Sequence, residues 1–232
     1  MTDFIQFGSE KIEYYVSYSD RKTLGITITP DMVVNVKAPE NTSKAVIQEK
    51  VKKKAAWILK QKSFFLSFYP KTPKRKYVSG ETHLYLGRQY RLMINKSENK
   101  NEVRYKGRYF EISLTKKENA GTLMQQWYRS RAKTKFPEIA EPIINRFKKY
   151  NVEPKSLHIQ EMATRWGSCT PKGKIILNPE IIKAPKACIE YVIVHELCHL
   201  IHRDHTQKFL DLQSKEMPDW RRWKDRLESL LA

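Results

Sequence analysis

His195 and His199 stand four residues apart with Glu196 beside the first, a set of residues that can hold a divalent cation and activate water. On an α-helix a four-residue step turns by about 40° and climbs roughly 6 Å, so both imidazoles converge on one ion. Glu196 is turned by about 100°, too far round to be a ligand but able to reach a metal-bound water and take its proton. Because Zn²⁺ lowers the pKa of that water to about 7, hydroxide is available at neutral pH and the reaction class implied is hydrolysis. The same spacing arises by chance on exposed helices. Here Val192, Ile193, Val194, Leu197 and Leu200 surround it. Burying two imidazoles and a carboxylate there unpaired costs roughly 1–3 kcal/mol per group, a cost that a metal removes.

A catalytic zinc needs a third protein ligand and an open position. His202 lies on the same helix face, but ~10 Å along the axis from His195 if the helix stays regular. Glu216 is placed to serve from a following helix. His205 follows Arg203-Asp204, which can end the helix and turn the chain back. Geometry favours His205, and His202 reads as a helix-end histidine facing the C-terminal dipole. Cys198 is about 100° round from His199 and reads, like Cys169 and Cys188, as a small buried hydrophobe. His83 and His158 read as ordinary strand residues.

The elements that must carry these residues show as changes of period. Asn178-Pro179 is a helix start, and Pro185 begins a second helix, about 185–202, that is apolar nearly all round and must lie inside the fold. The stretch "SLHIQEMATRWGSCTPKGKIILN" alternates and reads as a β-hairpin turning at "TPKG". Thr122 onward is helical, with Trp127, Arg131 and Lys135 at steps of four, interrupted where Pro137 and Pro142 restart turns. Earlier, Leu24, Ile26 and Ile28 alternate with small or polar residues, Pro30-Asp31 turns the chain, and Val34 and Val36 resume the period of two. Ser43 can cap a helix whose Ile47, Val51, Ala55 and Ile58 form one stripe. A second strand pair, "HLYLGRQYRLMI" and "EVRYKGRYFEISL", precedes the long helix, with sheet ending near Thr115. The fold class expected is α+β: a β-rich region over 1–116 with one basic helix at about 43–69, then a catalytic region over 117–232. No internal repeat is visible.

Composition narrows the setting. The 232 residues carry a net charge of +19 and three cysteines, an odd number that suits a reducing cytoplasm rather than a disulfide framework. The start "MTDFIQFGSEKIEYY" lacks the basic, apolar and small-residue regions of a signal peptide. No stretch approaches the roughly 18 apolar residues of a membrane span. The expectation is a soluble cytoplasmic protein. Residues 44–76 hold eleven Lys and Arg against one acid, Glu49. Such a run is a solvated helix face or an attractor of polyanions, including nucleic acid.

These motifs, with "RWGSC", "KIILNPEIIKAP" and "YLGRQYRLMI", resemble the YgjP-like metal-dependent hydrolases, related in their catalytic half to SprT and other zincin-like metallopeptidases. The resemblance covers nearly the whole chain. It implies a zincin-like catalytic half with a buried HExxH helix, one Zn²⁺ on His195, His199 and His205, and Glu196 as catalytic acid/base. At Glu190 the family more often carries aspartate, which leaves any supporting role for this residue open. In the Arg165-Trp166-Gly167-Ser168-Cys169 signature, Trp166 reads as packing beneath the histidine-bearing helix and Gly167 as a tight turn, while Arg165 is open between structure and anion binding.

Three functions fit these features. A peptidase would hold an extended substrate along a strand such as Leu157 to Thr164 by backbone pairing, and the SprT likeness adds that proteolysis near DNA would suit the charge. A nucleoside triphosphate pyrophosphatase, an activity to which the family has been linked, would use the same metal. It would need a phosphate cradle built from Arg165 and basic residues including Lys53, Lys54, Lys74 and Arg75, because the chain has no P-loop. A nucleic-acid binder with a structural zinc would need a site closed by four ligands, and Glu196 beside only three good ligands argues against it.

Overall fold

The computed structural model describes residues 2–29, 31–66, 75–98, 100–115, 120–163 and 165–231. Of the sequence expectations, Pro30, Lys74, Thr164 and residues 67–69 of the basic helix lie outside the described residues. The chain forms two compact units, residues 1–72 and 73–231. None of its described helices is long and apolar enough to cross a membrane.

In the first unit, β1 (Thr2–Phe7), β2 (Glu10–Ser19), β3 (Gly25–Ile28) and β4 (Val34–Pro39) form one sheet in the order β1-β2-β4-β3. The central pair is parallel and both outer pairs are antiparallel. Alternation puts Ile5, Ile12, Tyr14, Val16, Val34 and Val36 on one buried face. Against it pack Ile47, Val51, Ala55 and Ile58, the stripe read from the sequence. These four belong to two helices rather than one: α1 (Lys44–Lys53) and α2 (Ala55–Leu66) break at Lys54, whose N–H bonds back to both Lys50 and Val51 carbonyls. Asp3 fastens α1 to β1, accepting from Tyr14 Oη at 3.0 Å and Gln48 Nε2 at 3.2 Å.

The second unit begins with another four-stranded sheet: β5 (Thr82–Tyr85), β6 (Arg88–Lys96), β7 (Glu102–Lys106) and β8 (Tyr109–Leu114). Its order, β5-β6-β8-β7, and its parallel centre reproduce the first sheet. Each of the two strands expected from the sequence is thus a hairpin. Positive φ at Leu86, Gly87 and Gly107 reverses the chain inside each run.

The division at 72/73 replaces the boundary expected at 116/117. Leu92, Phe110 and Ile112 of this sheet share one core with Met124, Tyr128 and Phe136 of α3 (Ala120–Phe147), so the sheet cannot be separated from the helical region after it. Helix α3 also runs unbroken through Pro137 and Pro142, where interruption was expected. Burial of Phe136, Ile139, Ala140, Ile143 and Phe147 on both sides of the prolines holds the helical path.

A three-stranded sheet, order β10-β11-β9, carries the hairpin expected at "TPKG": β10 (Gly167–Cys169) pairs antiparallel with β11 (Lys174–Leu177), and β9 (Ser156–Ile159) lies parallel on its other side. Asn178 caps a 3-10 turn, Pro179–Lys183, accepting from Glu180 N. Leu86 and Gly87 donate to the carbonyls of Ile182 and Lys183, and a β-carbon at Gly87 would come within 2.9 Å of Pro185 Cα. That contact seats the start of α4 (Lys186–Cys198). Cys188, Ile189, Val192, Ile193, Val194, Leu197 and Cys198 are all buried, as an all-round apolar helix requires. Two helices complete the unit, α5 (Gln207–Glu216) and α6 (Trp220–Leu231).

Candidate metal centre

Helix α4 ends at Cys198, four residues before the expected His202. The N–H groups of Leu200 and Ile201 tighten to i−3 carbonyls, which closes the last turn. The chain then doubles back, so His205 reaches His195 with 3.1 Å between their Nε2 atoms. One ligand atom from each of His195, His199 and His205 lies within 4.8 Å of the others. Phe209 from α5 is fully buried and underlies all three rings at 4.7–5.1 Å between centroids.

The second nitrogen of two of these rings is already committed. His195 Nδ1–H donates to Gln213 Oε1 at 2.9 Å, and His199 Nδ1–H donates to the His202 carbonyl at 3.2 Å. Each bond leaves Nε2 with a bare lone pair, the tautomer that metal ligation requires. Burial pushes His195 down to about 4; the bond to Gln213 works against this, and the neighbouring His199 and His205 add to it. Burial also lowers His199. These two imidazoles are therefore neutral at physiological pH, and the donor set fits a borderline cation such as Zn²⁺.

Glu196 lies in the same cleft and is buried. Burial pushes its carboxyl up to about 7, with Arg165 pulling the other way. The cleft, about 720 Å³, is lined by the loop Arg165–Trp166, strand β10, Tyr191, Arg203 and the histidines. All of its lining residues belong to the second unit.

The structure separates the other sequence candidates. Arg165 lines the cleft, whereas Arg75 in the same unit does not. Lys53 and Lys54 belong to the first unit, Lys53 paired with Glu49 at 2.7 Å and Lys54 ending α1. Lys74 lies outside the described residues. Glu216 is not in the group whose ligand atoms converge. It is buried against Tyr150 Oη at 2.6 Å, Lys149 Nζ at 2.8 Å and Arg146 Nε at 3.0 Å. Glu190 is held by Lys186 at 3.1 Å. Burial raises the Cys188 and Cys198 thiols to about 11 and 12, so both stay protonated and behave as apolar groups.

Gln213 carries no motif that marks it in the sequence. It is fully buried, and its Nε2 has no hydrogen-bond partner among the described residues. A weaker signal existed: Phe209, Gln213 and Glu216 fall at steps of four and three on the core-facing stripe of α5, where polar residues are out of place.

The class that this histidine cluster and its cleft describe is the metal-dependent hydrolases, and comparison with family models gives the group within it. The model of the YgjP-like metallopeptidase domain matches residues 22–230, and the chain belongs to that family. It is therefore a metal-dependent, peptidase-like hydrolase, and the family implies a divalent metal, typically zinc. Among curated proteins, none matches this chain. Two solved structures are similar to part of it. The metallopeptidase zymogen of Pyrococcus abyssi abylysin is 19% identical with TM-score 0.37, covering 41% of this chain and 94% of that one. The metallopeptidase zymogen of Methanocaldococcus jannaschii jannalysin is 19% identical with TM-score 0.36, covering 42% and 97%.

Proposed function

We propose that the protein is a zinc peptidase in which His195, His199 and His205 hold one Zn²⁺ and Glu196 is the general base. The observation that carries this reading is the convergence of three imidazole ligand atoms within 4.8 Å, two of the rings held in the coordinating tautomer by bonds on their far sides. When bound, the ion supplies Lewis acidity, which makes water nucleophilic near neutral pH and polarises the scissile carbonyl. Glu196 accepts the proton of the attacking water and returns it to the leaving amine. A carboxyl raised to about 7 is suited to both transfers at neutral pH.

Strand β10 holds the substrate. It lines the cleft and is the edge of its sheet, with β11 on one side only, so an extended peptide can pair with its outer backbone. This role was expected of Leu157 to Thr164, but β9 occupies the opposite edge, where β11 separates it from β10.

Arg165 and Arg203 in the same cleft favour a second reading, hydrolysis of a nucleoside triphosphate at the same centre. A closed structural zinc is disfavoured by the substrate-sized cleft beside the histidines, which among the described residues gather no fourth ligand. The test is metal content together with a panel of casein, synthetic peptides and nucleoside triphosphates. Peptide cleavage is expected to fall by roughly 10²–10⁴ in Glu196→Gln, with bound zinc retained. Phosphate or pyrophosphate release without peptide cleavage would replace the first reading by the second, and full activity in Glu196→Gln would overturn the role of the carboxylate.

A further inference from the structure

The first unit contains a groove that the hydrolytic centre does not use. One wall is a single face of α1 and the segment before it: Thr42, Val46, Lys50 and Lys54 recur every four residues, and Trp57 follows at the start of α2. The facing wall is Lys22 with the edge strand β3 beyond it, and Leu24, Ile26 and Pro39 make the floor apolar. The groove has a volume of about 600 Å³, and among the described residues no acidic one lines it. Lys22, Lys50 and Lys54 make no ion pair among the described residues, while nearby Lys44 and Lys53 are paired with Asp3 and Glu49. Trp57 is 42% exposed and takes no part in the adjacent core.

We propose that this groove binds single-stranded nucleic acid, stacking a base on Trp57 and placing the backbone phosphates against Lys22, Lys50 and Lys54. An aromatic face accepts any base, and a lysine-lined channel follows the backbone by charge, which is the combination that sequence-tolerant single-strand binders use. The favourable dipole at the end of α1 accounts for lysines on that helix. It does not account for Lys22 on the facing wall, nor for the exposed indole. A membrane surface fits less well, because the apolar residues line a concavity and cannot insert into the headgroup boundary. An acidic protein segment fits less well too: the cations are all lysines, point charges suited to phosphate, and none is an arginine fork for carboxylate. The inference is independent of the metal centre and of the peptidase reading.

The test is fluorescence anisotropy of the full-length protein with a short labelled oligothymidylate across a range of salt. Binding should weaken linearly in log–log salt, by a slope of roughly 0.7 per phosphate neutralised. Trp57→Ala should weaken it at least about fivefold, while Trp57→Phe, which keeps a stacking face and guards against a folding artefact, should retain most of the affinity. Lys50→Glu with Lys54→Glu should weaken it and flatten the salt slope. Lys96→Glu with Lys106→Glu, exposed positions in the other unit, change the net charge equally and should leave binding little altered. Equal weakening by both lysine pairs would reduce the effect to bulk charge and overturn the proposal. So would undiminished binding in Trp57→Ala, or displacement of the oligonucleotide by polyglutamate or anionic vesicles at equal charge concentration.

Discussion

Glu196 fills the space that a side chain at residue 167 would need. A β-carbon built on Gly167 would stand 2.6 Å from Glu196 Oε1 and 2.9 Å from its Cγ, with Val192 Cγ1 at 2.8 Å. Strand β10 and helix α4 approach so closely here that the carboxylate lies against bare backbone. The glycine of the "RWGSC" signature is therefore explained by this contact and not by the tight turn expected from sequence, since Gly167 lies in strand β10 without a left-handed φ.

Gly167→Ala should accordingly displace the carboxylate while leaving the three histidines in place. A shift of about 1 Å in a catalytic group costs on the order of 100-fold in rate. Steady-state kinetics should show kcat falling by about that factor, with zinc affinity unchanged in a chelator competition. Loss of zinc in parallel with activity would mean that β10 supports the ligands rather than the base.

Gln213 should govern metal affinity through His195. Gln213→Leu removes the acceptor for His195 Nδ1–H, and loss of such a partner typically costs 10–100-fold in affinity. Gln213→Glu keeps an acceptor at the same reach and should recover most of it. Titration against a chromophoric zinc chelator reads both, and equal affinity in Gln213→Leu and the parent would show that the bond to His195 is incidental.

Glu216 should matter to stability and not to metal content. Burial alone would raise its pKa, but hydrogen bonds from Lys149 and Tyr150 and the charges of Lys149 and Arg146 outweigh this and hold it below the usual carboxylate range. A group lowered in this way stabilises the fold above its unfolded pKa of about 4.5 and loses that contribution as acid protonates it. Glu216→Ala should cost about 1–3 kcal/mol at neutral pH, from partners left unpaired, and less in acid, while zinc stoichiometry stays the same. A variant that folds normally but has lost its zinc would instead make Glu216 a ligand.

In the metal-free protein two adjacent residues should pull stability in opposite directions with pH. His195 titrates at about 4 folded against 6.5 unfolded, so between those values the unfolded chain binds more protons and stability rises with pH. Glu196 titrates at about 7 folded against 4.5 unfolded, so the folded chain holds the extra proton and stability falls as pH rises through that range. Each shift is worth roughly 3 kcal/mol, and the windows overlap. Urea unfolding in chelator should give the parent a shallow pH dependence. Glu196→Gln should unmask a rise of roughly 3 kcal/mol between about pH 4 and 6.5. A flat profile in that variant would mean that His195 is not held neutral by burial.

Whatever local spacing carries was legible in the sequence. The convergence of His195 and His199 was legible because two histidines one helical step apart sat among apolar neighbours, and His205, preferred over His202 on axial distance, is the ring that meets them. Gln213 could not be found by motif, since its importance lies in where α5 packs. The break at Pro137 and Pro142 and the domain boundary at 116/117 differ from the structure for a related reason, although the sheet does end near Thr115 as expected. Both were inferred from local rules, and both were overridden by a shared core that joins β6 and β8 to α3 and α4. The two matching sheets were likewise invisible, because a pairing order asks of the sequence only alternation and turns, which dissimilar segments supply equally well.

That shared strand order has a consequence for how the molecule is assembled. In each four-stranded sheet the outer pairs are ribbons closed by short connections, while the inner pair joins strands distant in the chain: Tyr14 faces Val34, and Arg91 faces Tyr109. Such a sheet cannot grow strand by strand from one end. Its two ribbons have to meet along a single seam, and that seam is where loop-closure entropy is lost before any contact repays it.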